Sequence, residues 1–464
     1  MIPFVYRWKN PPPLEKIWRA ACSGKRYFFF LDSGRCSSNG RWSYFSLSEP
    51  RTVFSSHGKN VTVAGHGRAP EKFYAPSPLD ELKKLFPRLD ARGIPVPFTG
   101  GGVGYFSYDF GRHFEKLPSR AAQDVRLPRS YFMFCDDFCA YDLRKNQAYI
   151  VMRGRRCQAK AREYVDQLSS AGACPPDNFT VGRISAGMSR ARFEGAVRRA
   201  KKYIACGDIF QANLAQRFSA AYDGDTAALY EKLRAVNPSP YGSYIRFPRF
   251  SIISCSPELL LRKRGARLET RPIAGTRQRG SDLLEDESLS AGLLLDPKER
   301  AEHIMLVDLE RNDLGRVCVP KSVCVNEKMV IEKYSHVIHI VSNVRGKLAA
   351  GRDVFDAFRA VFPGGTITGC PKIRAMEIID ELEPVRRGPY CGSAGWIGYN
   401  GDADLNILIR SITAIARPVR GSASRLLFSV GAGIVADSDP SREYRETLHK
   451  ASALFSALGV KKHP

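Results

Sequence analysis

Two pairs of glutamates in the second half of the sequence have a spacing that suits metal binding. Glu299 and Glu302 lie three residues apart, and so do Glu443 and Glu446, which follow the predicted helix cap Asp439. On a helix this spacing puts both carboxylates of a pair on one face. Four converging carboxylates could bind Mg²⁺, a hard cation that prefers oxygen ligands. The same spacing is common on solvated helix faces, and the pattern alone leaves both interpretations open.

Two glycine-rich segments could bring the backbone close to a ligand. Residues 364–372 have the sequence GGTITGCPK and are predicted to enter a helix, where backbone N–H groups could bind an anion. They do not form a Walker loop, because the final G-K-[ST] is absent. Residues 429–435 have the sequence SVGAGIV and offer a second site of close approach. Each segment alone is also compatible with an ordinary turn.

The elements that must position these residues differ between the two halves of the chain. Short strand-like runs such as 27–31 and 148–152 are separated by turn residues and predict antiparallel sheet in the first half. A polar stretch at 169–178 has the composition of a linker, and helices alternate with strands after it. We therefore predict an N-terminal region over residues 1–170 and a catalytic region over residues 185–458.

The composition is that of a large globular protein with an excess of positive charge. The 464 residues are 44% hydrophobic and carry a formal net charge of +24. Such a field attracts nucleic acid, and it equally attracts a substrate with two carboxylates. The basic residues are dispersed, and the dense stretch 190–202 has the apolar spacing of a helix. Nucleic-acid binding is therefore the weaker interpretation.

Nothing in the sequence predicts a secreted or membrane-bound protein. The start has no hydrophobic signal core, and no apolar run approaches the ~20 residues that a membrane helix needs. The twelve cysteines are scattered, without a C-x-x-C pair. We expect a cytoplasmic protein with reduced thiols and no membrane segment.

Four blocks together resemble the chorismate-utilising enzymes. They are residues 298–316 (KERAEHIMLVDLERNDLGR), 363–384, 390–410 and 431–446, and the resemblance extends over most of residues 190–455. The glycine run before Tyr105 resembles the family less sharply. The order and spacing of the blocks identify the sequence as a member of this family. The fold that the resemblance implies is α/β, a sandwich of two large antiparallel sheets with helices outside.

The resemblance also implies a metal site. Glu302 and Glu446 would be the principal Mg²⁺ ligands, and Glu299 and Glu443 would lie near the metal through water. The ion would bind the ring carboxylate and help the C4 hydroxyl to leave. His339 would lie near that hydroxyl.

The other predicted site residues surround the same ring. Tyr390 and Arg410 would bind the enolpyruvyl carboxylate, since a guanidinium fork suits a planar anion. Glu258 is a candidate acid or base, although an ion pair at a strand end is the alternative. The remaining candidates are Gln211, Ala274, Thr276, Thr366, Gly431, Gly433 and Lys372, the last of which could pair with a carboxylate or face solvent.

The product depends on a position where relatives divide. In residues 271–276 (RPIAGT) the best-known aminodeoxychorismate synthases have a lysine that attacks the ring, whereas Ala274 has no nucleophile. Four segments nevertheless resemble aminodeoxychorismate synthase component I more than anthranilate synthase component I, namely 111–118, 211–214, 240–244 and 404–407. We therefore predict amination at C4 to 4-amino-4-deoxychorismate, a step towards 4-aminobenzoate and folate. Anthranilate synthesis is the alternative.

Two further readings are less favoured. Isochorismate or salicylate synthesis needs a base to activate water, commonly a lysine at what looks like the position of Gln211. A basic RNA-binding protein on the same fold would not need the intact set of site residues.

No cysteine lies in a nucleophile elbow, so ammonia should come from a separate glutamine amidotransferase subunit. The end at Pro464 leaves no fused lyase, and residues 31–33 resemble the edge of a pocket that binds tryptophan in some relatives.

Overall fold

The computed structural model describes most of the chain as two antiparallel sheets packed face to face. The described residues are 2–34, 40–65, 67–87, 89, 91, 93–154, 156–172, 178–334, 337–416 and 423–460. The middle of the predicted linker, 173–177, lies outside them.

The strands are numbered in chain order. They are β1 (Phe4–Trp8), β2 (Phe28–Asp32), β3 (Trp42–Ser46), β4 (Thr52–His57), β5 (Asn60–Gly65), β6 (Glu71–Tyr74), β7 (Gly101–Phe106), β8 (Ser130–Cys135), β9 (Phe138–Asp142), β10 (Gln147–Met152), β11 (Thr180–Val181), β12 (Ser185–Ala186), β13 (Gln211–Asp223), β14 (Tyr241–Phe247), β15 (Phe250–Ser256), β16 (Leu259–Arg264), β17 (Arg267–Arg271), β18 (Ile273–Gln278), β19 (Cys324–Lys333), β20 (Val337–Lys347), β21 (Gly369–Cys370), β22 (Ser393–Gly398), β23 (Ala403–Asn406), β24 (Ser411–Ile415) and β25 (Ser424–Ile434).

Both halves of the chain contribute to both sheets. The first sheet has the order β1-β10-β9-β3-β2-β14-β15-β24-β25-β13-β11, with β12 and β21 also paired to β13. The second has the order β18-β20-β17-β16-β23-β22-β7-β8-β4-β5-β6, with β19 paired to β20. The predicted regions 1–170 and 185–458 therefore share their sheets.

Helices cover the outer faces. They are α1 (Leu14–Cys22), α2 (Pro78–Lys84), α3 (Cys157–Ser169), α4 (Arg190–Ala205), α5 (Thr226–Val236), α6 (Leu283–Leu295), α7 (Pro297–Gly315), α8 (Val354–Val361), α9 (Lys372–Leu382) and α10 (Pro440–Ala457), with 3₁₀ turns at Tyr108–His113 and Gly365–Ile367. Asp439 caps α10 by accepting a hydrogen bond from Arg442 N, and Pro440 occupies its first turn, as the sequence predicts. None of the described helices is long and apolar enough to cross a membrane.

Strand β2 shows how the two sheets make separate cores. Its sequence FFFLD is buried throughout because both of its faces are covered. Phe28 and Phe30 point to the core beneath the helices. Phe29 and Leu31 point to the core between the sheets. Burial of apolar surface on both faces is what holds the sandwich together.

The same alternation sets up a functional face on β13 and β25. Side chains of Ala212 and Leu214 lie in the core beneath the helices together with Ala432, and Gln216 bonds to Thr447 of α10. Because successive side chains of a strand point to opposite faces, the odd-numbered residues of β13 and β25 point between the sheets. These odd-numbered residues include Gln211, Asn213, Gly431 and Gly433.

Candidate active site

Glycines on β25 let the side chains of β13 approach its backbone. The register pairs Asn213 with Gly433 and Ala215 with Gly431. A Cβ atom at Gly433 would lie 2.5 Å from Gln211 Nε2 and 3.2 Å from Glu302 Oε1, and a Cβ at Gly431 would lie 2.4 Å from Asn213 Oδ1. Larger residues at either position would displace these polar groups. The second glycine-rich segment is thus a wall of the site.

Helix α7 brings Glu302 to this wall, whereas Glu299 of α7 and Glu446 of α10 have basic partners of their own. Gln211 Nε2 donates to Glu302 Oε1 at 2.6 Å. Arg277 Nη1 donates to Glu299 Oε1 at 3.0 Å, and Lys450 Nζ lies 2.7 Å from Glu446 Oε1. In the part of the chain that the structure describes, no three His, Cys, Asp or Glu side chains lie close enough to hold a metal ion.

The glutamates nevertheless lie near enough to influence one another's pKa values. Burial raises the pKa of Glu302, and the charges of Glu299 and Glu446 raise it further. Burial also raises the pKa of Glu443, again with a contribution from Glu446. Burial alone would raise the pKa of Glu446, but Lys450 reverses this and lowers it. Carboxylate oxygens are the donors that Mg²⁺ prefers, and a divalent ion would relieve their repulsion.

His339 faces the site as a neutral imidazole. Its Nδ1 lies 3.2 Å from Gly275 O and 3.1 Å from Thr276 Oγ1. Because a carbonyl oxygen only accepts, Nδ1 carries the proton, and Nε2 is left as an acceptor 3.4 Å from Arg410 Nη2. Burial, assisted by the charge of Arg410, lowers the pKa of His339 to about 3. The ring can therefore accept a hydrogen bond at Nε2, while its low pKa makes it a weak base.

Arg410 offers a positive charge with no acidic partner. Its Nη1 donates to the amide oxygen of Asn237 at 3.1 Å, and burial lowers its pKa. Among the described residues, no carboxylate forms an ion pair with it. A desolvated guanidinium of this kind suits a planar anion that arrives from outside. Tyr390, 9% exposed, lies against the β25 wall, since its hydroxyl would be 3.1 Å from a Cβ at Gly431.

Glu258 is a buried carboxyl with little stabilisation of its charge. It is 3% exposed, and it accepts one long bond from Ile273 N at 3.4 Å. Burial raises its pKa to about 8. The Thr366 hydroxyl lies near enough to oppose this rise, yet it makes no contact with hydrogen-bond geometry. Glu258 can therefore exist as an acid or a base near neutral pH.

Two predicted residues have other surroundings. The ammonium group of Lys372 lies 2.5 Å from Asp313 and also donates to Val361 O at 3.2 Å. The charge of Lys372 is therefore already balanced by a carboxylate of the protein. Ala274 is 7% exposed and pairs with Ile340, just before a bulge that turns Thr276 towards His339. The substrate-binding roles of both residues stay predictions.

Comparison with known proteins gives the family. Residues 29–456 match the profile of the chorismate binding enzymes. The chain belongs to this family. It is 43% identical over 456 residues to aminodeoxychorismate synthase component 1 of Bacillus subtilis (strain 168), covering 96% of this chain and 94% of the relative. It is 42% identical over 442 residues to anthranilate synthase component 1 of Thermus thermophilus, covering 93% and 92%.

Solved structures agree. The crystal structure of anthranilate synthase component I from Streptococcus pneumoniae TIGR4 superposes with a TM-score of 0.79 at 32% identity, covering 90% of this chain and 93% of that one. The predicted sandwich fold of the chorismate binding enzymes is therefore confirmed. Residues 31–33, which resemble the edge of a pocket that binds tryptophan in some relatives, border a cavity of about 230 Å³ that Trp42 and Trp396 also line.

The candidate site contains polar residues that the sequence analysis missed. Lys450 follows Glu446 by four residues on α10, so helical spacing could have found it. Asn213 follows Gln211 by two residues and could have been found from strand alternation. Asn237 orients Arg410 from the end of α5, 173 positions away, and no local pattern indicates that contact.

Proposed function

We propose that this chain is component 1 of an aminodeoxychorismate synthase, which converts chorismate and ammonia to 4-amino-4-deoxychorismate. The observation that carries the proposal is its similarity, over 96% of its length, to the aminodeoxychorismate synthase component 1 of Bacillus subtilis. The surroundings of Arg410, His339 and Glu258 supply an anion site, an acceptor and a titratable acid for this reaction.

The net reaction exchanges a hydroxyl for an amine. The lone pair of ammonia forms the new C4–N bond, the C4–O bond breaks, and the departing hydroxyl leaves as water with one proton from the nitrogen. We assign the enolpyruvyl carboxylate to Arg410 and Tyr390. His339 Nε2 faces Arg410, so it is placed to accept a hydrogen bond from the departing hydroxyl, and Glu258 can take up or supply the proton.

Amination without a covalent ring adduct follows from position 274. The methyl group of Ala274 cannot attack the ring. Lys372 cannot readily replace the missing lysine, because its ammonium is paired with Asp313. We therefore propose that ammonia itself attacks C4, and that the protein gains no mass during turnover.

We further propose that the reaction requires Mg²⁺. Glu302 and Glu446 would hold the ion, with Glu299 and Glu443 beside it. When bound, the ion would neutralise the ring carboxylate and stabilise the departing hydroxyl. Support comes from the raised pKa of Glu302, which reflects burial together with neighbouring carboxylates. Arg277 and Lys450 would have to release Glu299 and Glu446 for all four to converge.

We propose a separate glutamine amidotransferase as the source of ammonia, since the related Bacillus protein is named a component. We also infer a cytoplasmic location, where free thiols such as Cys206 and Cys324 stay reduced. Purified alone, the chain should use ammonium and not glutamine. Glutamine turnover by the single chain at the ammonium rate would contradict this assignment.

The product distinguishes the main proposal from its rival. Anthranilate synthase is the second candidate, favoured by Ala274 and by the 42% identity to the Thermus enzyme. Chorismate, ammonium, Mg²⁺ and a separate aminodeoxychorismate lyase should yield 4-aminobenzoate. Fluorescent anthranilate formed without the lyase would show instead that amination occurs at C2.

A further inference from the structure

The first glycine-rich segment lies between two buried carboxyl groups. A Cβ atom at Gly365 would lie 3.5 Å from Glu310 Oε1, and the next residue, Thr366, faces Glu258. Burial raises the pKa of both carboxyls, and the turn opposes each rise: the Gly365 amide acts on Glu310 and the Thr366 hydroxyl acts on Glu258. One turn of the backbone therefore joins Glu258 of the candidate site to a second carboxyl on α7.

Glu310 is buried without a basic partner. It is 2% exposed, and its Oε2 accepts a hydrogen bond from Thr270 Oγ1 of β17 at 2.8 Å. Within the described ranges, no basic side chain forms an ion pair with it. Asp313, one turn further along α7 and also 2% exposed, takes the ammonium group of Lys372 at 2.5 Å.

The charges that face the two carboxyls do not balance once a substrate is bound. Asp313 and Lys372 face Glu310 and largely cancel each other. Arg410 faces Glu258, but under the proposed function its charge is used by the enolpyruvyl carboxylate. The Cys391 thiol also faces Glu258, and burial raises its pKa to about 12, so it stays neutral.

Glu258 and Glu310 therefore act on each other as like charges. Burial raises the pKa of Glu310 to about 7, and the charge of Asp313 raises it further. Burial raises the pKa of Glu258 to about 8, and the charge of Glu310 contributes to that rise. Two neighbouring carboxylates in a buried site do not both ionise readily, so the pair retains a proton near neutral pH.

We propose that Glu310 is a positioning residue for the amination, whose negative charge keeps the proton on Glu258 until the C4 hydroxyl leaves. The proposal rests on the proposed function, because it assumes that Glu258 exchanges a proton in the reaction. Glu258 gives its proton to the oxygen as the C4–O bond breaks, and water departs. The lone pair of ammonia forms the C4–N bond, and the new ammonium group returns one proton to Glu258. Glu310 gains and loses no proton in this cycle.

Glu310→Gln tests the coupling, because it removes the charge and keeps the shape. Glu258 should then lose its proton at lower pH, and the alkaline limb of kcat should move down by about one pH unit. With chorismate and ammonium saturating, the ratio of variant to wild-type kcat should fall from near one at about pH 6 to about one tenth at about pH 9. Taking the ratio cancels the pH dependence of free ammonia. Glu287→Gln, on the exposed face of α6, is the control and should give a ratio of one throughout.

A purely structural Glu310 would give a different result. It would lower kcat by the same factor at every pH, or lower the free energy of unfolding with a flat ratio, and either outcome would overturn the proposal. The Glu258→Gln background sharpens the test. Adding Glu310→Gln there should leave the pH profile unchanged, because no proton remains for Glu310 to hold. A shift of the same size in that background would also overturn it.

Thr270→Val gives a second test if Glu310→Gln fails to fold. It removes the hydrogen bond that stabilises the charge of Glu310, so the alkaline limb should move in the same direction by a smaller amount. Thr270→Ser keeps the hydroxyl and is the matched control. An unmoved limb in Thr270→Val would overturn the coupling. Anthranilate as the product would refute the proposed function alone, since the same ratios can be measured on that product, whereas a wild-type protein that aminates neither carbon would refute both.

Discussion

Asp32 and Glu258 are equally buried carboxylates that the chain treats in opposite ways. Both are 3% exposed. Asp32 accepts hydrogen bonds from Arg234 Nε at 2.5 Å, Tyr230 Oη at 3.0 Å and Ser43 Oγ at 3.1 Å. Glu258 accepts a bond of 3.4 Å from a backbone amide, and burial raises its pKa to about 8. The hydrogen bonds of Asp32 are those of a carboxylate that stabilises the fold, whereas Glu258 is a candidate acid or base.

Two arginines repeat the contrast. Arg387 is enclosed by Glu383, Ile367 O and Asn213 O, with five hydrogen bonds among them. Arg410 has an amide and an imidazole and no acidic partner in the described part of the chain. Leaving buried groups incompletely paired costs stability and creates affinity for a substrate. This difference in pairing separates Glu258 and Arg410 from Asp32 and Arg387.

The largest effect should come from the glutamate cluster. Glu302→Gln should lower turnover by at least ~10²-fold, the upper end for a lost outer-shell partner and a floor for a lost ligand. Glu287→Gln, on the exposed face of α6, is the control and should have wild-type turnover. Steady-state rates with and without a chelator measure both. Full activity in the chelator would remove the metal from the proposal.

Glu258→Gln should lower turnover without lowering the free energy of unfolding. Loss of a proton donor or acceptor should lower turnover by ~10²-fold. The free energy of unfolding should stay equal or increase, because a buried ionisable group with poor pairing is replaced by a neutral one. Urea denaturation and rates on the same preparation decide the point. A large loss of stability would place Glu258 with Asp32 as a structural carboxylate.

Asp32→Ala should lower the free energy of unfolding without changing the chorismate KM. Removing the buried member of this ion pair leaves Arg234 with only the largely exposed Glu15 as an acidic partner and should cost about 3 kcal/mol of unfolding free energy. The chorismate KM of the folded fraction should stay within about twofold of wild type. Denaturant midpoints and kinetics measure the two quantities. A change in KM without a change in stability would link this region to the active site.

Arg410→Lys should raise the chorismate KM roughly tenfold, because an ammonium cannot reproduce a bidentate guanidinium contact. Arg267→Lys, at the exposed first residue of β17, is the control. Initial rates over a range of chorismate concentrations give both constants. An unchanged KM would exclude Arg410 from the substrate site.

The smallest expected effect is a pH dependence of stability. The pKa of Glu258 in the folded protein is about 8 instead of the usual 4.5. Its contribution to stability is therefore fully present below pH 4.5 and is lost as pH rises through 8. Between those limits, the unfolding free energy of wild type should fall relative to that of Glu258→Gln by at least about 1 kcal/mol. Parallel pH curves for the two proteins would mean that Glu258 has an ordinary pKa.

The local elements around the site follow largely from sequence. Asp439 and Pro440 predict the start of α10, and Glu443 and Glu446 both lie on that helix, as their spacing predicts. The strand-like run 27–31 corresponds to β2, which begins and ends one residue later. The run 148–152 corresponds to β10, which begins one residue earlier. Such features depend on residues within one or two turns of each other, and short-range preferences are enough to predict them.

The sequence alone therefore determined the family and the fold, and it predicted a set of candidate site residues. The tertiary structure decided which of these residues are paired. Lys372 meets Asp313 from another helix, Arg410 is oriented by Asn237, and Asn213 Oδ1 is left without a partner. Each outcome joins segments far apart in the chain. Pairing depends on how sheets and helices pack around a common core, and local sequence patterns do not predict that long-range geometry.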